Sequence, residues 1–237
     1  MRTAICFTGT CRSLDHTYQN ICEFLIDPID NCDIFAFVPK TPHINNALQL
    51  LNNTNLKKIV FEKEGAIDET GLSFVPGWPP KTTTTQIYLK MVQSRKKIND
   101  MLTSYEVYNN FRYDRVIFSR LDVKYYTNVS QELENHKLDN LLIPDFHNTF
   151  GGVIDGYNDR FAVGDRKVMS SYLNLYDSVG KYSSLGGKFQ AETFLKWHLK
   201  NNGIFPRKIP IRFGRVRSSG EEIDTRLKES NLENRDT

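Results

Sequence analysis

Arg120 and Asp122 follow directly on the apolar triplet Val116-Ile117-Phe118, within the string Tyr113-Asp114-Arg115-Val116-Ile117-Phe118-Ser119-Arg120-Leu121-Asp122-Val123. In extended chain, residues two apart face the same side, so this guanidinium and this carboxylate can meet one ligand. A diphosphate with a divalent cation suits the pair: an Asp122 oxygen on the metal and a bidentate Arg120 fork on phosphate. The same spacing permits a plain Arg120–Asp122 ion pair at a strand end, and spacing alone leaves both readings open.

Other reactive residue types point to no rival chemistry. Cys6, Cys11, Cys22 and Cys32 match no CxxC-type zinc spacing and read as free thiols. His16, His43, His136, His147 and His198 are scattered, without a serine or cysteine in a nucleophile setting, and read as structural. Gly9 lacks the rest of a GxGxxG fingerprint, so dinucleotide binding has weak support. Trp78, in a Pro- and Gly-rich loop, offers a ring that could stack on a sugar or plug the loop onto the body.

The elements that must position these groups follow from periodicity. Ala4 to Phe7 is a short apolar run, Thr8-Gly9-Thr10 breaks it, and Leu14 to Ile26 carries a helical stripe. Ile34 to Val38 and Leu56 to Phe61 read as further strands, with a helical stretch at Ala47 to Leu51 between them, so the opening half should be doubly wound with a parallel sheet. Residues 63–81 form a long loop that could cover a site. Thr82 to Thr85 offer N-caps for a helix running to about Ser104, with Arg95, Lys96 and Lys97 on its solvated face. Val116 to Phe118 is a buried strand, which places Arg120 and Asp122 past its carboxyl end, where open α/β sheets bind ligands. Strands are expected at Leu141 to Ile143 and Arg160 to Gly164, with a turn at Gly151-Gly152 leading into Ile154. Helices should cover about Arg166 to Val179 and Phe189 to Asn201, and a basic strand-like stretch runs from Pro210 to Arg217.

With 237 residues, 39% hydrophobic and 25% charged, the chain has the make-up of an ordinary globular domain. The expected fold class is α/β, a mixed but mainly parallel sheet flanked by helices in a single domain over residues 1–220. No apolar run reaches the ~20 residues of a membrane-spanning helix and no signal peptide is visible, so a cytoplasmic protein is expected. Glu221 to Thr237 holds six acidic against three basic residues, so the chain's net charge of +3 becomes +6 over residues 1–220. A cationic body of this size suits an anionic small ligand, and the acidic end reads as a marginal helix or a disordered tail.

Several strings carry a resemblance. YDRVIFSRLDV resembles the "YDxxIxxRxD" segment of nucleotide-sugar glycosyltransferases from bacterial capsule and lipopolysaccharide clusters and from large DNA viruses that build surface glycans. Ala4 to Arg12 is similar to their opening strand with "GxxR", Asn158 to Gly164 to their "NDRFAxG" segment, and Ala191-Glu192 to His198-Leu199 to their "PExxLxxHL" helix. The resemblance implies a GT-A-like (Rossmann-like) fold with a nucleotide-binding half over 1–125 and an acceptor-binding half over 126–220. Thr8, Gly9 and Arg12 would line the nucleotide, Arg120 and Asp122 would stand at the metal-and-diphosphate motif, and Asp159 and Glu192 would face the sugars. The usual DxD has two carboxylates. Here Arg120 replaces the first, so weak or optional binding of Mn²⁺ or Mg²⁺ on Asp122 and a firm metal site both stay open.

Cleavage of a sugar–diphosphate bond builds negative charge on the leaving group, which Arg12, Arg120 or the group Arg212, Arg215 and Arg217 would stabilise. An acceptor hydroxyl needs a base if configuration inverts, and Asp155, Asp159 and Glu192 are the candidates. Asp159 is favoured because its segment is flanked by Gly151-Gly152, Gly156 and Gly164, where a bulky ligand can approach closely. A structural Asp159–Arg160 turn competes with that role, and stabilisation of a helix start competes for Glu192. The expected activity is transfer of a sugar from a UDP- or GDP-type donor to a carbohydrate acceptor, with no nucleic acid involved. The alternatives are a non-catalytic sugar- or nucleotide-binding module and a polyanion-binding protein using Arg207 to Arg217.

Overall fold

The computed structural model describes residues 1–41, 45, 51, 54–63, 65–75, 84–134, 136–150, 154–188 and 190–225. Trp78, Gly151-Gly152, nearly all of the stretch from Ala47 to Leu51 and the end of the acidic tail lie outside the described residues.

The chain opens with β1 (Thr3–Thr8), α1 (Leu14–Ile21, continued by a π-turn over Cys22–Ile26), β2 (Cys32–Pro39) and β3 (Leu56–Glu62). The long helix α2 (Thr85–Tyr108) leads to β4 (Arg115–Arg120), β5 (Val123–Tyr125), α3 (Val129–Leu133) and β6 (Leu142–Pro144). A short hairpin, β7 (Thr149–Phe150) and β8 (Ile154–Asp155), precedes β9 (Phe161–Asp165). The chain then forms α4 (Arg166–Leu173, continued by a 3-10 turn over Asn174–Ser178), α5 (Val179–Ser184) and α6 (Ala191–Asn201). It closes with β10 (Arg207–Ile209), β11 (Phe213–Val216) and β12 (Glu222–Ile223).

Seven strands make the central sheet, in the order β10-β6-β9-β4-β1-β2-β3. β1 lies between β2 and β4 and runs parallel to both, whereas β9 is antiparallel to β4 and β6. All six residues of β1 are buried, because helices cover both faces of the sheet. Ile5 and Phe7 pack on one face with Leu14, Ile21 and Leu25 of the α1 region. Ala4 and Cys6 pack on the other with Leu89 and Val92 of α2 and Phe194 of α6. Each of the larger ones, the leucine, isoleucine, valine and phenylalanine side chains, contributes about 1.5–3 kcal/mol by leaving water, and the two-sided burial fixes α2 and α6 against the sheet.

The expected mixed, mainly parallel sheet is present, with local differences. Thr84 is the cap: its side chain accepts from the Ile87 amide at 3.3 Å, and α2 continues to Tyr108. The helix expected over Arg166 to Val179 tightens after Leu173, where Asn174 Oδ1 turns back to accept from Asn99 Nδ2 at 2.9 Å. The basic stretch from Pro210 to Arg217 is not one strand. β10 extends the central sheet beside β6, while β11 pairs antiparallel with β5 and β12 in a separate three-stranded sheet. The start of the acidic tail is therefore ordered as a strand by pairing with β11. No helix among the described residues is long and apolar enough to cross a membrane.

Candidate active site

The parallel strands β1, β2, β3 and β4 end at Thr8, Pro39, Glu62 and Arg120, and all four residues line one cleft of about 1360 Å³. From β1 the chain builds outward to β2 and β3, then crosses to β4 on the other side. The strand order thus reverses between β1 and β4, the place where open α/β sheets bind ligands. Gly9 turns the chain out of β1 with φ of 105°, a conformation that L side chains rarely adopt. Arg12, exposed, also lines the cleft.

Behind Arg120 stands Asp122. Arg120 Nε donates to Asp122 Oδ1 at 2.8 Å and Nη2 to Oδ2 at 2.6 Å, so the two side chains share a side and both carboxylate oxygens are engaged. Leu121 between them is buried in the core, and the Val216 amide donates to the Asp122 carbonyl at 2.8 Å, which ties β11 to this turn. Burial works to raise the Asp122 carboxyl, but Arg120, Arg160 and Arg215 outweigh it and hold it below the ordinary carboxylate value. Among the described residues no group of three His, Cys, Asp or Glu side chains is placed to hold a metal. With both Asp122 oxygens held by Arg120 and no second carboxylate grouped with it among the described residues, the residues described do not fit a divalent cation.

The Asn158-Asp159-Arg160 segment divides its work among three side chains. Asn158 is buried: its amide nitrogen takes Asn148 Oδ1 at 3.0 Å, its Nδ2 donates to the Phe146 carbonyl at 3.1 Å, and its Oδ1 accepts from the Arg160 amide at 3.0 Å. That locked turn sends Asp159 inward and Arg160 toward the cleft. Asp159 meets Arg95, which the sequence places on a solvated helix face but which is only 1% exposed. Arg95 Nη2 donates to the Asp159 carbonyl at 2.7 Å and to its Oδ2 at 2.8 Å, with the guanidinium over the rings of Phe118 and Tyr172 at 5.1 and 5.5 Å. These partners offset the cost of taking Arg95 out of water. Lys96 and Lys97 are partly exposed and paired with Asp177 and Glu62, and Lys97 also lines the cleft. Burial raises the Asp159 carboxyl, but Arg95, Arg160 and Arg120 together hold it low.

Glu192 is the second residue of α6. Gln190 caps the helix, its Oε1 accepting from the Thr193 amide at 2.7 Å, while its Nε2 donates to Glu192. The Glu192 carbonyl accepts from the Tyr157 amide at 3.0 Å. Gly156 packs so closely that a Cβ there would lie 2.4 Å from the Glu192 carbonyl carbon. Arg160 Nη2 is 3.8 Å from Glu192 Oε1. Burial and the nearby Asp159 charge push the Glu192 carboxyl above its ordinary value, with Arg160 acting in the opposite direction. Two carboxylates in one cleft are thus driven apart, Asp159 to stay ionised and Glu192 to hold its proton longer, which is how sites separate fixed charges from proton carriers.

Thr8, Gly9, Arg12, Arg120, Asp159 and Glu192 all line the cleft. Three further candidates do not: Asp122 lies behind Arg120, Asp155 pairs with Lys196 and is 75% exposed, and Arg212 pairs with Asp145. The structure adds His147 and Asp224 to the cleft and brings in Arg215, one of the arginines expected to meet the leaving group. His147 Nδ1 lies against Arg160 Nη1, and its Nε2 is 3.8 Å from Asp224 Oδ1, whose Oδ2 in turn lies 3.3 Å from Arg215 Nε. His147 and Asp224 both have positive φ, 55° and 70°, so the chain holds two unusual backbone conformations where they meet. No sequence signal marks Asp224: it enters the cleft because β12 pairs with β11. Five arginines and three lysines line the cleft against five carboxylates, a balance suited to an anion.

A mostly parallel, helix-flanked sheet with a cleft at its strand reversal is the architecture of a glycosyltransferase-like α/β fold. The apo-form glycosyltransferase GlyE of Streptococcus pneumoniae TIGR4 has a similar structure, with a TM-score of 0.50 and 13% identity over 88% of this chain and 45% of that chain. The chain thus spans less than half of GlyE, and the likeness is one of fold. It belongs to the family described as a domain of unknown function, DUF7796, whose model matches residues 1–218. No curated protein is similar enough in sequence to match.

Proposed function

We propose that this protein is a glycosyltransferase of the GT-A type that moves a sugar from a UDP- or GDP-type donor to a hydroxyl of a carbohydrate acceptor. The observation that carries the reading is the arginine-lined cleft at the strand reversal, with Glu192 on one wall 3.8 Å from Arg160. A volume of about 1360 Å³ exceeds the ~300–1,000 Å³ of a typical small-molecule pocket, enough for donor and acceptor together.

In this reading the donor diphosphate sits over Thr8 and Gly9 within reach of Arg12, Arg120 and Arg160. The acceptor oxygen forms a bond to the anomeric carbon as the bond from that carbon to the phosphate oxygen breaks, and the electron pair leaves with the nucleoside diphosphate. The acceptor's proton passes to Glu192, the general base. Guanidinium groups already in place stabilise the growing charge on the leaving group. Asp159 is a positioning residue: its bond to Arg95 fixes the turn that presents Arg160. A nucleotide-sugar donor accords with a cytoplasmic enzyme, as do four free cysteines. The acceptor class implied by the sequence resemblance is a viral or bacterial surface polysaccharide.

One observation favours a second reading, the nucleotide-binding form of a module without turnover: Asp122 and Asp159 are both closed by arginines, leaving Glu192 to act without a second carboxylate. Both readings require nucleotide binding. A thermal-shift series with UDP, GDP and their sugars should raise the melting temperature, and Arg160→Gln should shrink the shift. A flat response to every nucleotide would contradict both.

A further inference from the structure

The geometry points to guanidinium groups, in place of a divalent cation, as the charge that holds the diphosphate in this cleft. This inference deepens the glycosyltransferase reading and rests on it. Among the described residues, the four carboxylates around Arg120 and Arg160 each have a cationic neighbour of their own. Asp122 is held by Arg120 through two bonds, Asp159 by Arg95, and Asp224 by Arg215, while Glu192 lies 3.8 Å from Arg160. A metal entering here would have to displace a guanidinium from its carboxylate and would then sit beside the released positive charge.

The arginines keep donors for a ligand. Arg120 uses Nε and Nη2 on Asp122, and Arg215 uses Nε on Asp224, which leaves Arg120 Nη1 and both terminal nitrogens of Arg215 to meet phosphate oxygens. Their side chains are 28% and 29% exposed, so those donors are reachable, while the carboxylates behind them fix the planes of the forks. Arg160 has Arg120 and Arg215 as like-charged neighbours, and an anion between them relieves that repulsion. The three come from β4, from the turn before β9 and from β11, so one ligand group would bridge the central sheet and the three-stranded sheet.

The test is calorimetric titration of inorganic pyrophosphate, UDP and GDP into the full chain, once in excess EDTA and once with Mn²⁺ or Mg²⁺. Pyrophosphate and at least one nucleotide should bind in EDTA within about twofold of their affinity with metal. Arg215→Gln and, separately, Arg160→Gln should weaken binding in EDTA about tenfold or more, with no rescue by metal, in variants whose circular dichroism matches the parent. Binding that appears only with metal, or arginine variants that bind like the parent, would overturn the inference and leave the nucleotide-sugar reading standing. Pyrophosphate binding in EDTA with no nucleotide binding would uphold the arginine site and contradict the nucleotide-sugar reading. No binding of any probe in either condition would overturn both.

Discussion

Arg95, near the middle of α2, and Asp159, in the turn before β9, form a nearly fully buried ion pair in which one guanidinium nitrogen reaches both the carboxylate and the main-chain oxygen of the same residue. The pair joins the long helix under the cleft to the loop that presents Arg160. Stability and site geometry therefore meet in one contact.

Removing one partner strands the other in a low-dielectric interior. Arg95→Met should cost about 3–5 kcal/mol in urea unfolding, because Asp159 would be left charged and buried. Asp159→Asn should cost a similar amount. The double variant should recover much of the loss, and a double-mutant cycle on the two midpoints measures the coupling.

Gly156 fixes Glu192 by having no side chain. A methyl group there would meet the Glu192 backbone at 2.4 Å and its Cβ at 2.6 Å, so Gly156→Ala must push the first turn of α6 aside. The expected cost is about 1–3 kcal/mol of stability, as for other overpacked sites, together with a lower kcat. Thermal melts and turnover measured on the same preparation check both.

Gly9 acts through its backbone alone. Among the described residues beyond its chain neighbours nothing lies within 4 Å of where its Cβ would be, yet its φ is 105°. Gly9→Ala should therefore cost about 1–3 kcal/mol from strain without a clash, and weaken nucleotide affinity by moving the chain that follows β1. Chemical denaturation and titration with the bound nucleotide test the two effects.

The carboxyl groups predict opposite pH trends. Glu192 holds its proton more tightly folded than unfolded, so its contribution is fully present at low pH and is lost as pH rises from the ordinary carboxylate value through its raised one. Asp122 and Asp159 are held low, so their contribution is present above the ordinary value and is lost as pH falls through their depressed ones. Glu192→Gln should lower kcat by about 10²–10⁴ and remove the acidic limb of the pH–rate profile, whose midpoint in the parent lies above the usual glutamate value. At neutral pH the same variant should melt at a higher temperature than the parent, since the parent's charged Glu192 is disfavoured by burial and by Asp159.

Much of the sheet was legible because strands buried on both faces read as short continuous apolar runs, as Ala4 to Phe7 and Val116 to Phe118 do. The position of Arg120 followed from the end of such a run. Arg95 was not legible: a charged residue flanked by Lys96 and Lys97 looks like a solvated face until Asp159, 64 positions away, is seen to meet it. Asp224 was hidden for the same reason, since a residue at the start of an acidic tail enters the cleft only through the pairing of β12 with β11. Asp155 and Arg212 were drawn in by residue type and proximity along the chain, yet each pairs with a residue outside the cleft, Lys196 and Asp145. Spacing along the chain exposes local geometry, while buried ion pairs depend on contacts between distant segments.

The most direct test of the central claim is to incubate the purified protein with a panel of UDP- and GDP-sugars, with oligosaccharide acceptors and with water alone, and to measure released nucleoside diphosphate. The account predicts release from at least one donor, faster with a suitable acceptor and lost in Glu192→Gln. Nucleotide binding without release from any donor, or full turnover in Glu192→Gln, would contradict it.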